Sequence, residues 1–269
     1  MANIGISTAS FFDRVMLEDA PQLLRQWGVT EAEYFLNCRG EYAPAFLDLL
    51  VKRTQDNGIR VTSVHPMSLM FEPQLFSPHP RQFQEACAEY EQVLAAGERL
   101  GADHYVMHGA PTLAGVTKNL QIERLAKVFD LLCDRAADHG LQLTLENVSW
   151  CIFQTPSFAA ALEQQMQRDT LRYTLDVKQA IRAGQDPLAF AKALGKKILA
   201  VHAVDCDMHG AKPRFCLPPQ GGYDFHTLLQ ALTENGFDGV VLLEAYSDMY
   251  QTLDELKNAF EALKNSCNK

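Results

Sequence analysis

Short apolar runs alternate along this chain with longer stretches in which apolar residues recur every three or four positions. The short runs are Ile4–Thr8, Ala32–Leu36, Arg60–His65, His104–His108, Gln142–Glu146, Arg172–Asp176, Ile198–Asp205 and Val240–Glu244. They are rich in Val, Ile, Leu, Tyr and Thr, so they read as strands buried on both faces of a parallel sheet. The longer stretches include Arg81–Leu100, Gln121–His139, Phe225–Asn235 and Leu253–Leu263. In Gln121–His139, Ile122, Leu125, Ala126, Phe129, Leu132 and Cys133 fall at helical spacing, with Glu123, Arg124 and Lys127 between them. Asn57-Gly58, His139-Gly140 and Asn235-Gly236 each supply a helix stop just before a strand begins.

Strict alternation of strand and helix predicts a parallel sheet with right-handed crossovers. Eight strands can close on themselves and leave no edge. The chain has 269 residues, and a complete (β/α)8 barrel typically takes about 250. The expected fold is therefore of the α/β class: a single-domain (β/α)8 TIM barrel over residues 1–269. An open doubly wound sheet is the competing architecture, but no GxGxxG follows the first strand.

Composition narrows the partners. Hydrophobic residues make up 47% and charged residues 21%, as in a globular protein with a substantial core. The net charge of −9 repels phosphate backbones, so nucleic acid is not an expected partner. No apolar run approaches the roughly 20 residues of a membrane span. The opening MANIGIST lacks a basic segment followed by a long apolar one, so no signal peptide is expected. Seven cysteines without CxxC spacing read as reduced, mostly buried thiols, which points to the cytoplasm. A homo-oligomer is compatible with all of this.

Polar residues cluster at the ends of the apolar runs. These close on, or carry near their ends, His65, His108, Glu146, Asp176, His202 with Asp205, and Glu244. Catalytic residues of such barrels sit at the C-terminal ends of strands. Buried and unpaired, each group would cost several kcal/mol. A divalent cation compensates carboxylates that otherwise repel one another. Glu146, Asp176, His202 and Glu244 form a mostly hard-oxygen set, suited to one Mn2+, Mg2+, Co2+ or Zn2+. The competing explanation is a group of buried ion pairs, for which cations are scarce; Lys178 is the obvious one, and it equally suits a substrate oxygen. Trp150 could wall the pocket. Lys212 and Arg214 lie in the loop after the seventh run, where barrels often hold phosphate, and Gly221-Gly222 precedes a helix start.

At these residues the chain resembles the xylose isomerase-like superfamily of sugar-phosphate isomerases and epimerases. The matching pieces are LENVSW around Glu146, LDVKQA around Asp176, VHAVD around His202 and LLEAYS around Glu244. The segment LPPQGGYDFHTLL and GVTEAEYFL around Glu33 also fit. The resemblance covers essentially the whole chain. It implies a (β/α)8 barrel, one divalent metal, and proton transfer on a hydroxy-carbonyl compound. The chain departs from the superfamily's ketose 3-epimerases, carrying Ile152, Gln179 and Met208 where they carry Glu, His and Arg. It departs from the related three-zinc apurinic endonucleases at Gln179, Pro213 and Phe215.

The expected activity is a metal-dependent isomerase or epimerase of a small sugar, sugar phosphate or keto-polyol. Glu146 and Glu244 would remove and return the proton through a metal-stabilised enediolate. His65, His108, Lys178, Arg214, Trp150 and Glu33 are the expected substrate contacts, Glu33 reading equally as a rim residue that orients other site groups. A keto-polyol dehydratase would use the same parts. A metal-assisted phosphoesterase, and a barrel that only binds a sugar or partner protein, are the remaining alternatives.

Overall fold

A computed structural model describes residues 3–112, 121–210 and 212–267. Eight parallel strands form a closed barrel: β1 (Asn3–Ser7), β2 (Glu31–Leu36), β3 (Arg60–Pro66), β4 (His104–Met107), β5 (Gln142–Glu146), β6 (Arg172–Asp176), β7 (Ile198–Ala203) and β10 (Val240–Leu243). Neighbours around the barrel run β1-β10-β7-β6-β5-β4-β3-β2, and β2 pairs with β1 to complete the ring. The (β/α)8 expectation holds, and each apolar run contains one barrel strand.

Helices α1 (Ala20–Gln26), α2 (Pro44–Asp56), α3 (Pro80–Leu100), α4 (Ile122–Asp138), α5 (Pro156–Glu163), α6 (Val177–Arg182), α7 (Pro187–Leu194), α8 (Phe225–Glu234) and α9 (Leu253–Cys267) connect the strands. Proline occupies the first position of α2, α3, α5 and α7, where its missing N–H has no intrahelical partner to lose. The three predicted helix stops are real: Gly58, Gly140 and Gly236 have φ of 64°, 73° and 87°, a region that penalises any Cβ. The buried face of α4 is Leu125, Ala126, Phe129, Leu132, Cys133 and Ala136, the stripe that its periodicity marks.

The large core lies between strands and helices, while the barrel interior is partly polar. Inside, Thr174 donates to Thr144 at 2.9 Å and Thr144 to the Tyr105 carbonyl at 3.0 Å. These threonines satisfy one another below the mouth and leave the strand ends free to carry charge.

The seventh run needs a correction. The barrel strand stops at Ala203, and Asp205–Asp207 (β8) opens an antiparallel hairpin with Arg214–Cys216 (β9). Asp205 fixes this departure, because its carboxylate accepts from the amides of Cys206, Gly221, Gly222 and Tyr223 at 2.7 to 3.2 Å. None of the seven cysteines is paired with another. No helix among the described residues is long and apolar enough to cross a membrane.

Candidate metal centre

Glu146 and Asp176 are the last residues of β5 and β6, His202 lies near the end of β7, and Glu244 directly follows β10. In-register pairing sets Asp176 beside His202 and Leu242 beside His202. All four side chains are buried, with 1–6% of their surface exposed. His202 Nδ1 lies 2.7 Å from Glu244 Oε2 and 3.5 Å from Glu146 Oε1. Ligand atoms of Glu146, Asp176 and His202 all fall within 4.8 Å of one another.

These close approaches are not hydrogen bonds. His202 Nδ1, Glu146 Oε2 and Glu244 Oε2 are buried without a hydrogen-bond partner. Burial opposes protonation of His202, but the charges of Glu244 and Glu33 outweigh it and raise the imidazole well above its ordinary value, so the acids call for positive charge at this point. Buried acceptors left in that way are strongly unfavourable. A divalent cation satisfies them together, and the residues present fit one. Electrostatics agrees. Asp176 is pushed up to about 7, first by burial, with the charges of Glu146 and Glu244 adding to it and Lys178 opposing it. One carboxylate of the group thus resists ionising beside the others unless positive charge is supplied.

The opposite edge of His202 explains its orientation. Its Nε2 lies 3.1 Å from Glu33 Oε2 and donates to it, so Nδ1 is the nitrogen that faces Glu146 and Glu244 and is placed to ligate a metal. Glu33 is fully buried on β2 and also accepts from Ser7 and Ser63, each at 2.8 Å. Burial opposes its ionisation, but His202 and His65 outweigh this and hold it well below the usual carboxylate range. Glu33 therefore sits behind the ligands rather than in the cleft, matching the rim-residue alternative. Asp176 is oriented similarly: its Oδ1 caps α6 by accepting from Gln179 N at 2.7 Å, and its backbone exchanges two hydrogen bonds with the Asn147 side chain.

The ligands open into a cleft of about 380 Å³. His65, His108, Trp150 and Gln179 line it, together with Phe12, Phe35, Met67 and Tyr246. His65 Nε2 meets His108 Nε2 at 2.9 Å, and His108 Nε2 lies 3.0 Å from Glu146 Oε2. Lys178 is 1% exposed. Its ammonium stands 3.7 Å from Asp176, 3.8 Å from Glu244 and 3.7 Å above the Tyr246 ring, and it makes no hydrogen bond.

Arg214 is not brought to the cleft. It is exposed on β9 and faces Asp207 at 3.4 Å. Lys212 is exposed as well, and the Gly221 and Gly222 amides already serve Asp205. Sequence reasoning passed over Tyr246, Asn147 and Ser68. Tyr246 follows Glu244 by two positions and Asn147 follows Glu146 by one, so proximity to a strand-end acid is the signal that marks them. Ser68 carries no such signal.

The chain aligns with an inosose dehydratase of Lacticaseibacillus casei at 26% identity over 141 residues, 47% of each protein. It thus spans about half the length of that relative. An inosose isomerase of Bacillus velezensis is 25% identical over 177 residues, covering 64% of this chain and 63% of that one. Among solved structures, D-psicose 3-epimerase from Clostridium cellulolyticum H10 superposes with a TM-score of 0.81 at 16% identity, covering 100% of this chain and 98% of the other. The IOLI protein with a bound zinc atom gives 0.79 at 21% identity, covering 99% and 96%. A family model described as the xylose isomerase-like TIM barrel matches residues 21–266, and the chain belongs to that family.

Proposed function

We propose that this protein is a divalent-metal-dependent isomerase or epimerase of a small sugar or keto-polyol. It would move a proton on a carbon beside a carbonyl, with Glu146 and Glu244 as the two acid–base groups. The observation that carries this reading is the placement of both glutamates against His202 Nδ1, at 3.5 and 2.7 Å, with both lining one cleft. Strands β6 and β7 separate β5 from β10 around the rim, so the two carboxylates approach a bound substrate from different sides. One takes the proton and the other returns it, which inverts or relocates a stereocentre.

Glu146, Asp176, His202 and Glu244 would hold the metal. When bound, it polarises the substrate carbonyl and offsets the negative charge that proton removal leaves there. His65 and His108 offer imidazole contacts to substrate oxygens, and Trp150 and Tyr246 offer flat faces to its carbon skeleton. Among the described residues lining the cleft there is no arginine or lysine, which favours an unphosphorylated substrate. The phosphoesterase alternative lacks support for the same reason.

Dehydration of a keto-polyol on the same metal centre is the second reading, and the likeness to an inosose dehydratase supports it.

The test is conversion of a panel of free ketoses, inososes and their phosphates by protein loaded with Mn2+, Mg2+, Co2+ or Zn2+. Metal-dependent conversion of an unphosphorylated keto-polyol is expected. Glu244→Gln should lower kcat by roughly 10²- to 10⁴-fold even in excess metal, the usual loss for a general acid–base group. Undiminished turnover by chelator-treated protein, or by Glu244→Gln, contradicts the proposal.

A further inference from the structure

A second cavity adjoins the metal cleft. It spans about 310 Å³ between the loops after β1 and β2, and its lining includes Phe11, Val15, Met16, Asn37 and Glu41. A single turn of chain, Thr8–Phe11, forms the partition. Thr8 and Phe11 line the second cavity and Ala9 lines the metal cleft, while Phe12, 48% exposed, lines both. The partition is braced against the end of β10. Ser10 Oγ donates to the Leu243 carbonyl at 3.2 Å and accepts from the Ala245 amide at 3.0 Å, and the Tyr250 hydroxyl donates to the Ser10 carbonyl at 2.6 Å. Arg14 donates to the carbonyls of Ser247, Tyr250 and Gln251 at 2.8 to 3.0 Å. Both cavities are therefore formed in advance of any ligand, and little ordering is left to oppose binding.

The lining selects a neutral, hydroxylated ligand. Asn37 Nδ2 donates to both carboxylate oxygens of Glu41 and to the Phe35 carbonyl at 3.1 to 3.4 Å, so the amide has one orientation. Its Oδ1 is buried without a hydrogen-bond partner. A ligand hydroxyl is the donor that this acceptor lacks. Asp13 and Glu41 repel an anion, and the guanidinium of Arg14 is engaged by backbone carbonyls. Phe12 adds an apolar face where the two cavities meet. Each cavity is at the small end of the roughly 300–1,000 Å³ of small-molecule sites, room for one ring-sized unit.

We propose that the second cavity is a sugar subsite, and that the substrate is a keto-sugar carrying a glycosyl substituent. The keto unit lies at the metal ligands, and the second ring, joined to it over Phe12, fills the adjoining cavity and donates a hydroxyl to Asn37 Oδ1. The place of the keto unit rests on the function proposed above; occupancy of the second cavity is measured without turnover. Phe12 and Asn37 are then the residues that distinguish a two-ring substrate from a free ketose.

The test is methyl NMR of the Zn2+-loaded protein labelled at the methionine methyl groups. Met67 lines the metal cleft and Met16 the second cavity, and Met67→Leu and Met16→Leu identify their signals. The probes are D-fructose and its glucosyl derivatives turanose, maltulose, leucrose and isomaltulose, which carry glucose on different oxygens. Fructose should shift Met67 alone. At least one glucosyl ketose should shift Met67 and Met16 together, at a concentration roughly tenfold or more below that needed for fructose, the gain from one hydrogen bond and one aromatic contact. Asn37→Ala should raise that concentration by roughly 2- to 10-fold. Val15→Trp, which fills the cavity, should abolish the Met16 response while Met67 still responds. A Met16 signal that no glucosyl ketose moves overturns the proposal whatever Met67 does, as does a Met16 response that Val15→Trp leaves intact. Failure of the proposed function is seen separately, as a lack of conversion across the substrate panel, and a Met16 response stands without it.

Discussion

His202 shows how one side chain organises the mouth of the barrel. Its Nε2–H is committed to Glu33, so Nδ1 is the nitrogen left among the acids. A carboxylate behind a histidine is the arrangement that orients a metal ligand and raises its basicity. The consequence is testable ligand by ligand. Glu146→Gln, Asp176→Asn and His202→Ala should each lose the bound ion, read by plasma mass spectrometry of dialysed protein. Loss of one donor of four leaves too little to offset ion dehydration. Full occupancy in all three variants would mean that the ion sits elsewhere. Glu33→Gln should act more weakly, because it keeps a hydrogen-bond acceptor for Nε2–H; second-sphere losses typically weaken metal binding about 10- to 100-fold.

At the scale of elements, the strand ends deliver the chemistry and the turns before them set their height. Gly239 precedes β10, the strand that carries Glu244 at its far end. A Cβ on Gly239 would lie 2.0 Å from the Leu199 carbonyl oxygen of β7, which is backbone and cannot rotate away. Gly239→Ala should therefore force β10 and β7 apart and destabilise the fold by about 1–3 kcal/mol, read as a lower midpoint in urea. An unchanged midpoint would show that the turn relaxes freely. Much at this scale was legible in the sequence. A change from short continuous apolar runs to helical spacing of about 3.6 residues, closed by Gly58, Gly140 and Gly236, is a local property of the chain, so strands and helices could be read directly. The strand-end acids were legible because charge at the end of an apolar run is anomalous. The β8–β9 hairpin was not, because Asp205 continues the apolar run of β7 and its capture by the 221–223 amides is a long-range event. The cleft walls Phe12, Phe35 and Met67, and Ser68 behind His108, were equally hidden, since closure of the barrel alone brings those loops together.

For the whole molecule, the barrel interior joins two ends of opposite character. The mouth concentrates buried acids, while the lower end holds His104, 2% exposed with an unpartnered Nε2. Burial lowers this imidazole from 6.5 to about 4 in the fold. Between those values the unfolded chain binds a proton that the folded chain refuses, so stability falls as pH drops through the window. The full effect is about 3 kcal/mol and is absent above the upper value. His104→Gln should flatten this part of the difference between urea midpoints at neutral and mildly acidic pH; a variant that tracks the wild type across the window would assign the acid loss to other groups. The mouth, by contrast, is defined by what it does to a substrate carbon. The most direct test is turnover in deuterated water of whichever keto-polyol the metal-loaded protein converts. The account predicts solvent deuterium at a carbon beside the carbonyl in recovered substrate or product, and its loss in Glu146→Gln and Glu244→Gln. Conversion with no deuterium on any such carbon would contradict the two-glutamate proton transfer.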